Sequence, residues 1–559
     1  MTTNDRTDVV GVGGAWVTVR VRPILVVLAG CLLGLTVAAG AAENAKGAIP
    51  SETSSDLFTS RAVTTYGSVS VEGRRITYRA VAGTIVVHPK DWDDAASPRA
   101  TRNFVGSPTG PAVASMSYFA YFRSSSKPET RPITFLFNGG PGSSTMWLHM
   151  GAFGPVRVVT GSDSHTPPAP YRIVNNAYSL LDATDVVFID APGTGFSRIE
   201  GKAAAKAFYG IDQDAYAFSS FVTQFLTSYG RWNSPRYLLG ESYGTPRVAA
   251  MANVLEVHRD VALNGLIMVS QCLDSDLSDD QPEINPGVEL PYELSLPTYA
   301  AIAWYHHKLP SNPPQLVPFL KEVEQFAMGP YADALAMGTA LPRARFDAIA
   351  RKLHDYTGLP LEYLRKADLR VDGLQFEHSL QSAEDLTTGR IDGRFSGPSM
   401  DPLSEYADYD PQAAAISSAY ISALNDYARR VLHYPTAEYY RPDDYSEVSD
   451  TWDSLHQPDG APFPLANANL MPDLAAAMNY DPDLKVMVNG GYFDLATEYM
   501  EGWYEMHHLP IPQKLQGNIR YDYYASGHMI YVRQASLKEL HDNIAAFIRQ
   551  TNNARGLAQ

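Results

Sequence analysis

Cysteine is scarce in this sequence, with only Cys31 and Cys272 among 559 residues. If Cys31 is removed with an N-terminal signal, the remaining chain cannot form an internal disulfide. A protein of this size must then be stabilised by its core and its hydrogen bonds. We expect Cys272, which closely follows the strand-like segment 265–269, to behave as a buried small apolar side chain rather than as a reactive thiol.

A basic excess is also missing, because 44 Lys and Arg face 61 Asp and Glu, for a net charge of −17. This balance argues against nucleic acid as a partner, since phosphates need cationic neutralisation.

Metal motifs are absent as well. The sequence has no His-Glu-x-x-His, and the acidic clusters at 274–280 and 408–410 lack the glycine and terminal glutamate of a calcium loop. We therefore predict no metal and no cofactor.

The N-terminus resembles an export signal. Arg20 and Arg22 precede an apolar stretch over 24–39, and the small residues at 39–41 offer a cleavage site. A second interpretation stays open, because the segment 28–31 resembles a bacterial lipobox in which Cys31 would be lipidated. We predict a periplasmic or secreted protein with no membrane span in the mature chain. The sequence leaves the oligomeric state open.

The pattern of apolar and polar residues changes several times along the chain. Alternating strand patterns appear from about residue 64 to 89 and again from 115 to 123, and buried strand-like runs with Gly-rich turns follow them. From about 274 to 464 such runs vanish and helical, Pro-, Asp- and Tyr-rich stretches dominate. The predicted organisation is a signal peptide (1–41), a linker (42–60), a core in two parts (61–273 and 465–550), a mostly helical insertion or lid (274–464) and a flexible tail (551–559).

Strands that alternate with turns and helices predict an α/β fold. The runs 133–137, 186–190, 237–239, 484–488 and 518–524 read as buried strands, and residues 211–229 carry apolar side chains at helical spacing. This order implies a mostly parallel central sheet with helices on both faces.

A serine stands at the tip of a sharp turn in Gly240-Glu241-Ser242-Tyr243-Gly244, between a strand and a helix. A glycine on each side lets the backbone pass closely, so that the hydroxyl projects above the sheet. A serine hydroxyl becomes a nucleophile only when a base takes its proton and a third group orients that base. Asp494 and His528 each follow a strand, and the order Ser242, Asp494, His528 is that of α/β-hydrolases.

The oxyanion that forms on attack needs two prearranged donors. The backbone N–H of Tyr243, directly after the serine, is one candidate. The second should come from the loop after an earlier strand, where Asn138-Gly139-Gly140 fits. A tight turn without a catalytic role is the alternative interpretation of these glycines.

At this point the sequence resembles the serine carboxypeptidases, over most of residues 115–275 and 484–535. The resemblance rests on several motifs in one order, at 138–144, 154–158, 176–179, 190–197, 240–244 and 527–529. It implies an α/β-hydrolase fold and release of C-terminal amino acids from peptides through an acyl-enzyme, favoured at acidic pH. The implied substrate is a peptide with a free C-terminus.

The resemblance also implies roles for individual residues. Asn138, Gly139 and Glu241 would bind the C-terminal carboxylate of the substrate, and Gly140 with Tyr243 would form the oxyanion hole. Glu241 must then be protonated, because two like charges in contact cannot both persist.

The sequence departs from the family pattern at four positions. Ser143 replaces a cysteine, Leu136 a tryptophan, Tyr492 an acidic residue and Tyr531 a proline. These departures bear on the specificity pocket and the disulfide framework. An acyltransferase or esterase on the same scaffold, and a catalytically silent binding protein, remain alternatives.

Overall fold

The structure is a computed structural model that describes residues 58–90, 92, 110–124, 126–311 and 313–553. The predicted signal peptide, the lipobox cysteine, most of the linker and residues 554–559 lie outside these ranges. Within them, no helix combines the length and the apolar character needed to cross a membrane.

Ten of the strands in the described ranges form one sheet in the order β1-β2-β3-β7-β4-β9-β10-β13-β14, with β8 beside β3. The strands are β1 (Arg61–Val71), β2 (Arg74–Val87), β3 (Val113–Arg123), β4 (Ile133–Phe137), β5 (Val156–Val158), β6 (Ile173–Asn175), β7 (Asp185–Ile189), β8 (Arg198–Glu200), β9 (Arg236–Glu241), β10 (Gly265–Val269), β11 (Leu386–Thr388), β12 (Ser396–Pro398), β13 (Lys485–Gly491) and β14 (Ile519–Tyr524).

The helices follow the strands as crossovers or lie in the segment between β10 and β13. They are α1 (Ala204–Phe208), α2 (Ile211–Tyr229), α3 (Gly244–Ala252), α4 (Leu290–Tyr305), α5 (Leu316–Phe326), α6 (Ala332–Leu335), α7 (Arg343–Thr357), α8 (Leu361–Lys366), α9 (Gly373–Ser379), α10 (Pro411–Arg430), α11 (Tyr445–Thr451), α12 (Met471–Tyr480), α13 (Tyr499–His507) and α14 (Gln534–Thr551).

Six neighbouring strands, from β7 to β14, run parallel, and β1, β2, β3 and β8 pair antiparallel. Parallel strands covered on both faces should be apolar at every position rather than alternating. Strand β4 follows this rule closely, since all five of its residues are buried and only Thr134 is polar. Phe135 and Phe137 pack into the core on one face and Leu136 into the core on the other. The predicted α/β-hydrolase fold is confirmed.

The carboxyl ends of the parallel strands meet at one edge of the sheet, and their register brings particular loops together. Phe137 pairs with Gly240, Glu241 with Val269, and Val269 with Asn489. The loops that begin after β4, β9, β10, β13 and β14 are therefore neighbours. Ligands of open α/β sheets bind at this edge.

The helices α4 to α9 have a hydrophobic core of their own. This core, which is separate from the cores on the two faces of the sheet, includes Phe493, Leu495, Tyr499 and Met500, which come directly after β13. Packing of the helical segment therefore covers the loop that follows β13 and removes it from water.

Candidate active site

The loop between β9 and α3 holds Ser242 in a left-handed conformation, with a φ of 61°. Such a φ is uncommon for a residue with a side chain and marks a turn that the surroundings enforce. Glycine at 240 is required here, because a Cβ there would lie 2.0 Å from the carbonyl oxygen of Gly244. The Ser242 amide donates to the carbonyl of Val269 at 3.0 Å. The turn thus projects a half-buried serine from the end of β9.

Asp494 and His528 form an ion pair at the ends of β13 and β14. His528 Nδ1 lies 2.9 Å from Asp494 Oδ2 and 3.1 Å from Oδ1. Because a carboxylate only accepts, Nδ1 carries the proton and Nε2 is the free basic nitrogen. Asp494 is fully buried, and it also accepts from the amides of Ala496 and Thr497 at 2.9 and 3.1 Å. The arrangement holds the imidazole in the tautomer that a general base requires.

Thr497 adds a hydroxyl to this pair, since its Oγ1 donates to Asp494 Oδ2 at 2.9 Å and lies 3.2 Å from His528 Nδ1. None of the sequence motifs marks this residue. The local signal that could have found it is its position three residues after Asp494, because short polar side chains commonly bond nearby groups at turns.

Ser270 links the histidine to the serine loop. Its hydroxyl donates to the carbonyl of His528 at 2.7 Å, and its amide donates to Asn489 at 2.7 Å. The preceding residue, Val269, accepts from the Ser242 amide. The end of β10 therefore connects the nucleophile candidate and the base candidate. No hydrogen bond joins Ser242 Oγ to His528 within the described residues. Such contacts tighten when substrate binds.

The loop after β4 lies directly against the serine turn. A Cβ at Gly139 would come within 2.4 Å of the Tyr243 amide and 2.6 Å of the Gly244 amide. Gly140 has a φ of +108°, which favours glycine. The backbone of this loop can therefore approach Tyr243 only because side chains are missing. This close approach puts the candidate oxyanion donors, the amides of Gly140 and Tyr243, on facing loops.

A segment that returns from the helical insertion holds the loop after β4 in place. The Ser144 amide donates to Pro442 at 2.9 Å, and the Asp444 amide donates to Gly142 at 2.8 Å. Tyr440 donates its hydroxyl to Asp190 Oδ1 at 2.6 Å, and Asp190 Oδ1 also accepts from the Thr145 amide at 3.0 Å. Residues 440–444 thus fix the geometry of a loop more than 290 positions earlier in the chain.

A buried ion pair supports the same loop from the side of α3. Arg247 Nε donates to Asp214 Oδ2 at 2.6 Å, and Arg247 Nη1 donates to the carbonyl of Asn138 at 2.6 Å. Arg247 is 1% exposed and Asp214 2% exposed, so removal of either partner would leave a buried unpaired charge.

Glu241, which precedes the candidate nucleophile, is 3% exposed. Its Oε1 accepts from Asn138 Nδ2 at 2.8 Å and from the Tyr531 hydroxyl at 3.1 Å. Its Oε2 has no hydrogen-bond partner among the residues that the structure describes. Asn138 is itself oriented, because its Oδ1 accepts from the Leu148 amide at 3.2 Å. One oxygen of Glu241 is therefore saturated and the other is unused.

Burial raises the pKa of Glu241 to about 7, against smaller opposing effects of His528, Tyr531 and Asn138. Burial of His528 disfavours its cationic form, but Asp494 and Glu241 outweigh this effect, and the pKa of His528 is raised. Because each group stabilises the charge of the other, they titrate as a pair. A single shared proton can reside on Glu241, which leaves the imidazole neutral, or on His528.

A row of buried carboxyl groups lies behind Asp494 on α13. Glu501 is 2% exposed and Glu505 is 0% exposed. Burial, followed by neighbouring carboxylates, raises the pKa of Glu501 well above its usual range. Glu505 accepts from the amides of Leu273 and Asp274 at 2.7 and 2.6 Å, which orders the loop after β10.

Cys272 lies in this same loop after β10 and is half-buried rather than buried, which corrects the expectation for it. Its amide donates to Thr245 Oγ1 at 3.1 Å. Burial and the nearby Glu501 and Glu505 raise the pKa of the thiol.

The structure brings all eight predicted site residues to one edge of the sheet. Three of the departures noted in the sequence also lie there. Ser143 accepts from the indole nitrogen of Trp147 at 3.2 Å, and Tyr492 stacks edge-on against Tyr499 with centroids 5.1 Å apart. Tyr531 donates to Glu241. No group of three or more His, Cys, Asp or Glu side chains in the described part of the chain is arranged to hold a metal ion.

The order of the strands and the position of the serine turn give this protein the α/β-hydrolase fold. Residues 109–281 match the sequence pattern of the family described as serine carboxypeptidase. Over this segment, which is less than half of the chain, the sequence is similar to the serine carboxypeptidases, and the resemblance inferred from its motifs is confirmed.

Two relatives illustrate the match. Serine carboxypeptidase-like 36 of Arabidopsis thaliana is 32% identical over 173 residues, which cover 29% of this chain and 33% of the relative. The pheromone-processing carboxypeptidase KEX1 of Yarrowia lipolytica is 33% identical over 147 residues, which cover 26% of this chain and 22% of the relative. The chain thus spans a third or less of the length of these relatives.

Among solved structures, a prohormone-processing carboxypeptidase from Saccharomyces cerevisiae, KEX1(delta)p, aligns with a TM-score of 0.47 and 16% identity. The alignment covers 83% of this chain and 90% of that chain.

Proposed function

We propose that this protein is a serine-type carboxypeptidase that releases C-terminal amino acids from peptides at acidic pH. Ser242 is the nucleophile, His528 the general acid and base, and Asp494 the group that orients the imidazole. The amides of Gly140 and Tyr243 stabilise the oxyanion. The observation that carries the proposal is the neighbouring carboxyl of Glu241, which has one unpartnered oxygen and lies against Asn138.

The reaction begins when His528 Nε2 accepts the proton of Ser242 as its Oγ attacks the scissile carbonyl. The imidazolium is stabilised by Asp494 Oδ2 at 2.9 Å. It then donates its proton to the leaving nitrogen, which departs as the amine of the C-terminal amino acid. Water, deprotonated by the same imidazole, hydrolyses the acyl-enzyme and releases the shortened peptide.

The preference for a free carboxylate comes from the Asn138, Gly139 and Glu241 group. A protonated Glu241 donates from Oε2 to the carboxylate of the substrate, whereas an ionised Glu241 repels it. With a pKa of about 7, the carboxyl is mostly neutral in acidic solution and mostly ionised above neutrality. Peptide binding should therefore weaken as the pH rises through 7.

The test compares a peptide that has a free C-terminus with the same peptide as its C-terminal amide, at pH 5. A charge-assisted hydrogen bond is worth about 1.5–3 kcal/mol, so we expect kcat/KM to be roughly 10- to 150-fold higher for the free acid. Mass spectrometry of the products should show ladders shortened from the C-terminus. The Ser242→Ala variant is the matched control and should form none.

Equal turnover of the acid and the amide would overturn the carboxypeptidase proposal and favour an esterase or acyltransferase. Acyl transfer is detected separately, by adding an alcohol and measuring ester product in place of hydrolysis. If neither activity nor phosphonate labelling of Ser242 occurs, the protein is a silent binding protein.

We further propose that residues 274–464 act as a lid over the cleft and that residues 1–41 direct export. The lid proposal is supported by the packing of α4 to α9 against the loop after β13. The export proposal is supported by the sequence alone. Fractionation of cells that express the full chain, with N-terminal sequencing, should find a mature protein that begins near residue 42. A lipidated N-terminus at Cys31 would refute cleavage at that site.

A further inference from the structure

Tyr531 stands where the family pattern has a proline, and its side chain reaches the carboxyl of Glu241. The phenol is 2% exposed and donates to Glu241 Oε1 at 3.1 Å. The Asn138 amide donates to the same oxygen at 2.8 Å. Both donors converge on Oε1, and Oε2 has none.

This asymmetry decides where a neutral Glu241 carries its proton. An oxygen that already accepts two hydrogen bonds is favoured as the carbonyl oxygen of the acid, because a proton there would oppose the Asn138 amide and would force the Tyr531 hydroxyl to turn from donor to acceptor. The proton is therefore favoured on Oε2. That oxygen is the one without a protein partner, and it is the one left to meet a ligand.

We propose that Tyr531 is a positioning residue of the substrate-carboxylate site, which saturates Oε1 of Glu241 so that the Oε2 hydroxyl is presented to the C-terminal carboxylate. The inference rests on the proposed carboxypeptidase function and deepens it. It assigns a binding role to a position at which this chain departs from its family.

The packing around Tyr531 fixes the direction of its hydroxyl. A Cβ at Gly151 would lie 2.8 Å from Tyr531 Cε2 and 2.4 Å from the hydroxyl of Tyr420, so both rings lie against a bare backbone. Gly151 belongs to the helical turn Leu148–Phe153, and the Leu148 amide that begins it orients Asn138. One short turn therefore sets both donors to Glu241.

Several groups from different elements act on the charge of Glu241. They are His528 after β14, Asp494 after β13, Asn138 after β4, Tyr531 in the turn Ile530–Val532, Tyr420 on α10 and Tyr445 at the start of α11. The hydrogen bond from Tyr531 lowers the pKa of Glu241 and therefore opposes the effect of burial. Loss of the hydroxyl must then raise that pKa, and Glu241 stays protonated to a higher pH.

The experiment measures kcat/KM from pH 4 to 9 for the free-acid peptide and for an activated ester that has no carboxylate. For Tyr531→Phe we expect the alkaline fall with the peptide to move upward by roughly one pH unit. The KM at pH 5 should rise by less than about twofold, because equal protonation of the two oxygens would leave half of the enzyme competent and the remaining donor, Asn138, still favours the proton on Oε2. The effect on the peptide should appear in KM rather than in kcat. The ester has no carboxylate, so its turnover should show no alkaline fall that moves with the variant.

Tyr237→Phe is the matched control, because Tyr237 is also a buried phenol and lies on β9, the strand that ends at Glu241. Its hydroxyl bonds Thr551 Oγ1 at 2.8 Å, at the other end of the sheet. It should reproduce the wild-type profile. Loss of ester turnover in Tyr531→Phe would indicate that this variant does not fold. Tyr531→Met, which also lacks a hydrogen-bond donor, is then measured in its place and should show the same shift of the alkaline fall.

The outcomes separate the two proposals. A wild-type protein whose peptide turnover shows no alkaline fall overturns the proposed function, whatever Tyr531 does. A wild-type fall that the Tyr531 variants reproduce at the same pH overturns the role of Tyr531 alone. Equal losses with peptide and ester, without a shift, would show that Tyr531 only supports the fold.

Discussion

Replacement of Glu241 by glutamine should abolish the alkaline limb of peptide hydrolysis rather than the hydrolysis itself. The glutamine oxygen can accept from Asn138 and Tyr531 as Oε1 does now, at 2.8 and 3.1 Å. Its amide nitrogen then occupies the place of the unpartnered Oε2. An amide donates at every pH, so the variant resembles a permanently protonated Glu241.

The magnitude follows from the pKa of about 7 for Glu241. At pH 5 almost every wild-type molecule has the protonated carboxyl, whereas at pH 8 only about one in ten does. This group alone should therefore lower the wild-type kcat/KM for a free-acid peptide about tenfold between pH 5 and 8. Between the same two values, Glu241→Gln should show no decrease from this group.

The acidic side of the profile should not change in the variant. The charge of Glu241 helps to raise the pKa of His528, but in acidic solution the wild-type carboxyl is already protonated and carries no charge. The variant should thus extend the active range on the alkaline side only.

The assay is a pH profile of kcat/KM from 4 to 9, with the C-terminal amide of the same peptide as the control substrate. In the wild type the ratio of acid to amide turnover should fall as the pH rises, and in Glu241→Gln it should stay constant. A glutamine variant that retains the wild-type alkaline fall would refute the assignment of Glu241 as the carboxylate-binding acid.

Three further perturbations test other parts of the site. Asp494→Asn should lower kcat by roughly three to four orders of magnitude for peptide and ester alike, because the imidazole loses its orienting acceptor; a loss with the peptide only would contradict this. Gly139→Ala should lower kcat by roughly 10²–10³, since its Cβ would lie 2.4 Å from the Tyr243 amide nitrogen. The control variant Gly329→Ala should leave kcat unchanged, because its Cβ would have no described heavy atom within 4 Å. The pKa of Glu501 is raised, so the folded state keeps a proton that the unfolded chain loses above about pH 4.5, and stability falls as the pH rises. Glu501→Gln should therefore unfold at a higher temperature than the wild type at pH 8, and the difference should shrink at pH 5; an equal difference at both pH values would exclude a buried protonated carboxyl.

Much of the fold could be predicted from the sequence, and there is a physical reason for this. A strand of a parallel sheet that is covered on both faces must be apolar throughout, and 133–137 and 265–269 are such runs. A strand-to-helix turn with a left-handed residue needs glycine beside it, as at 240 and 244. These are local requirements, and local sequence can express them.

The sequence by itself determined which chemical groups this protein has at its strand ends: Ser242, Asp494, His528 and the carboxyl of Glu241. Only the tertiary structure decided how these groups are held. The hydroxyl of Ser270 on His528, the support of the glycine loop by residues 440–444, and the donation from Tyr531 to Glu241 Oε1 all join positions that are 250 or more residues apart. Such contacts leave no periodicity and no spacing in the chain, because they depend on the packing of whole elements. The direction of a hydroxyl and the unpartnered state of an oxygen exist only once those elements have met.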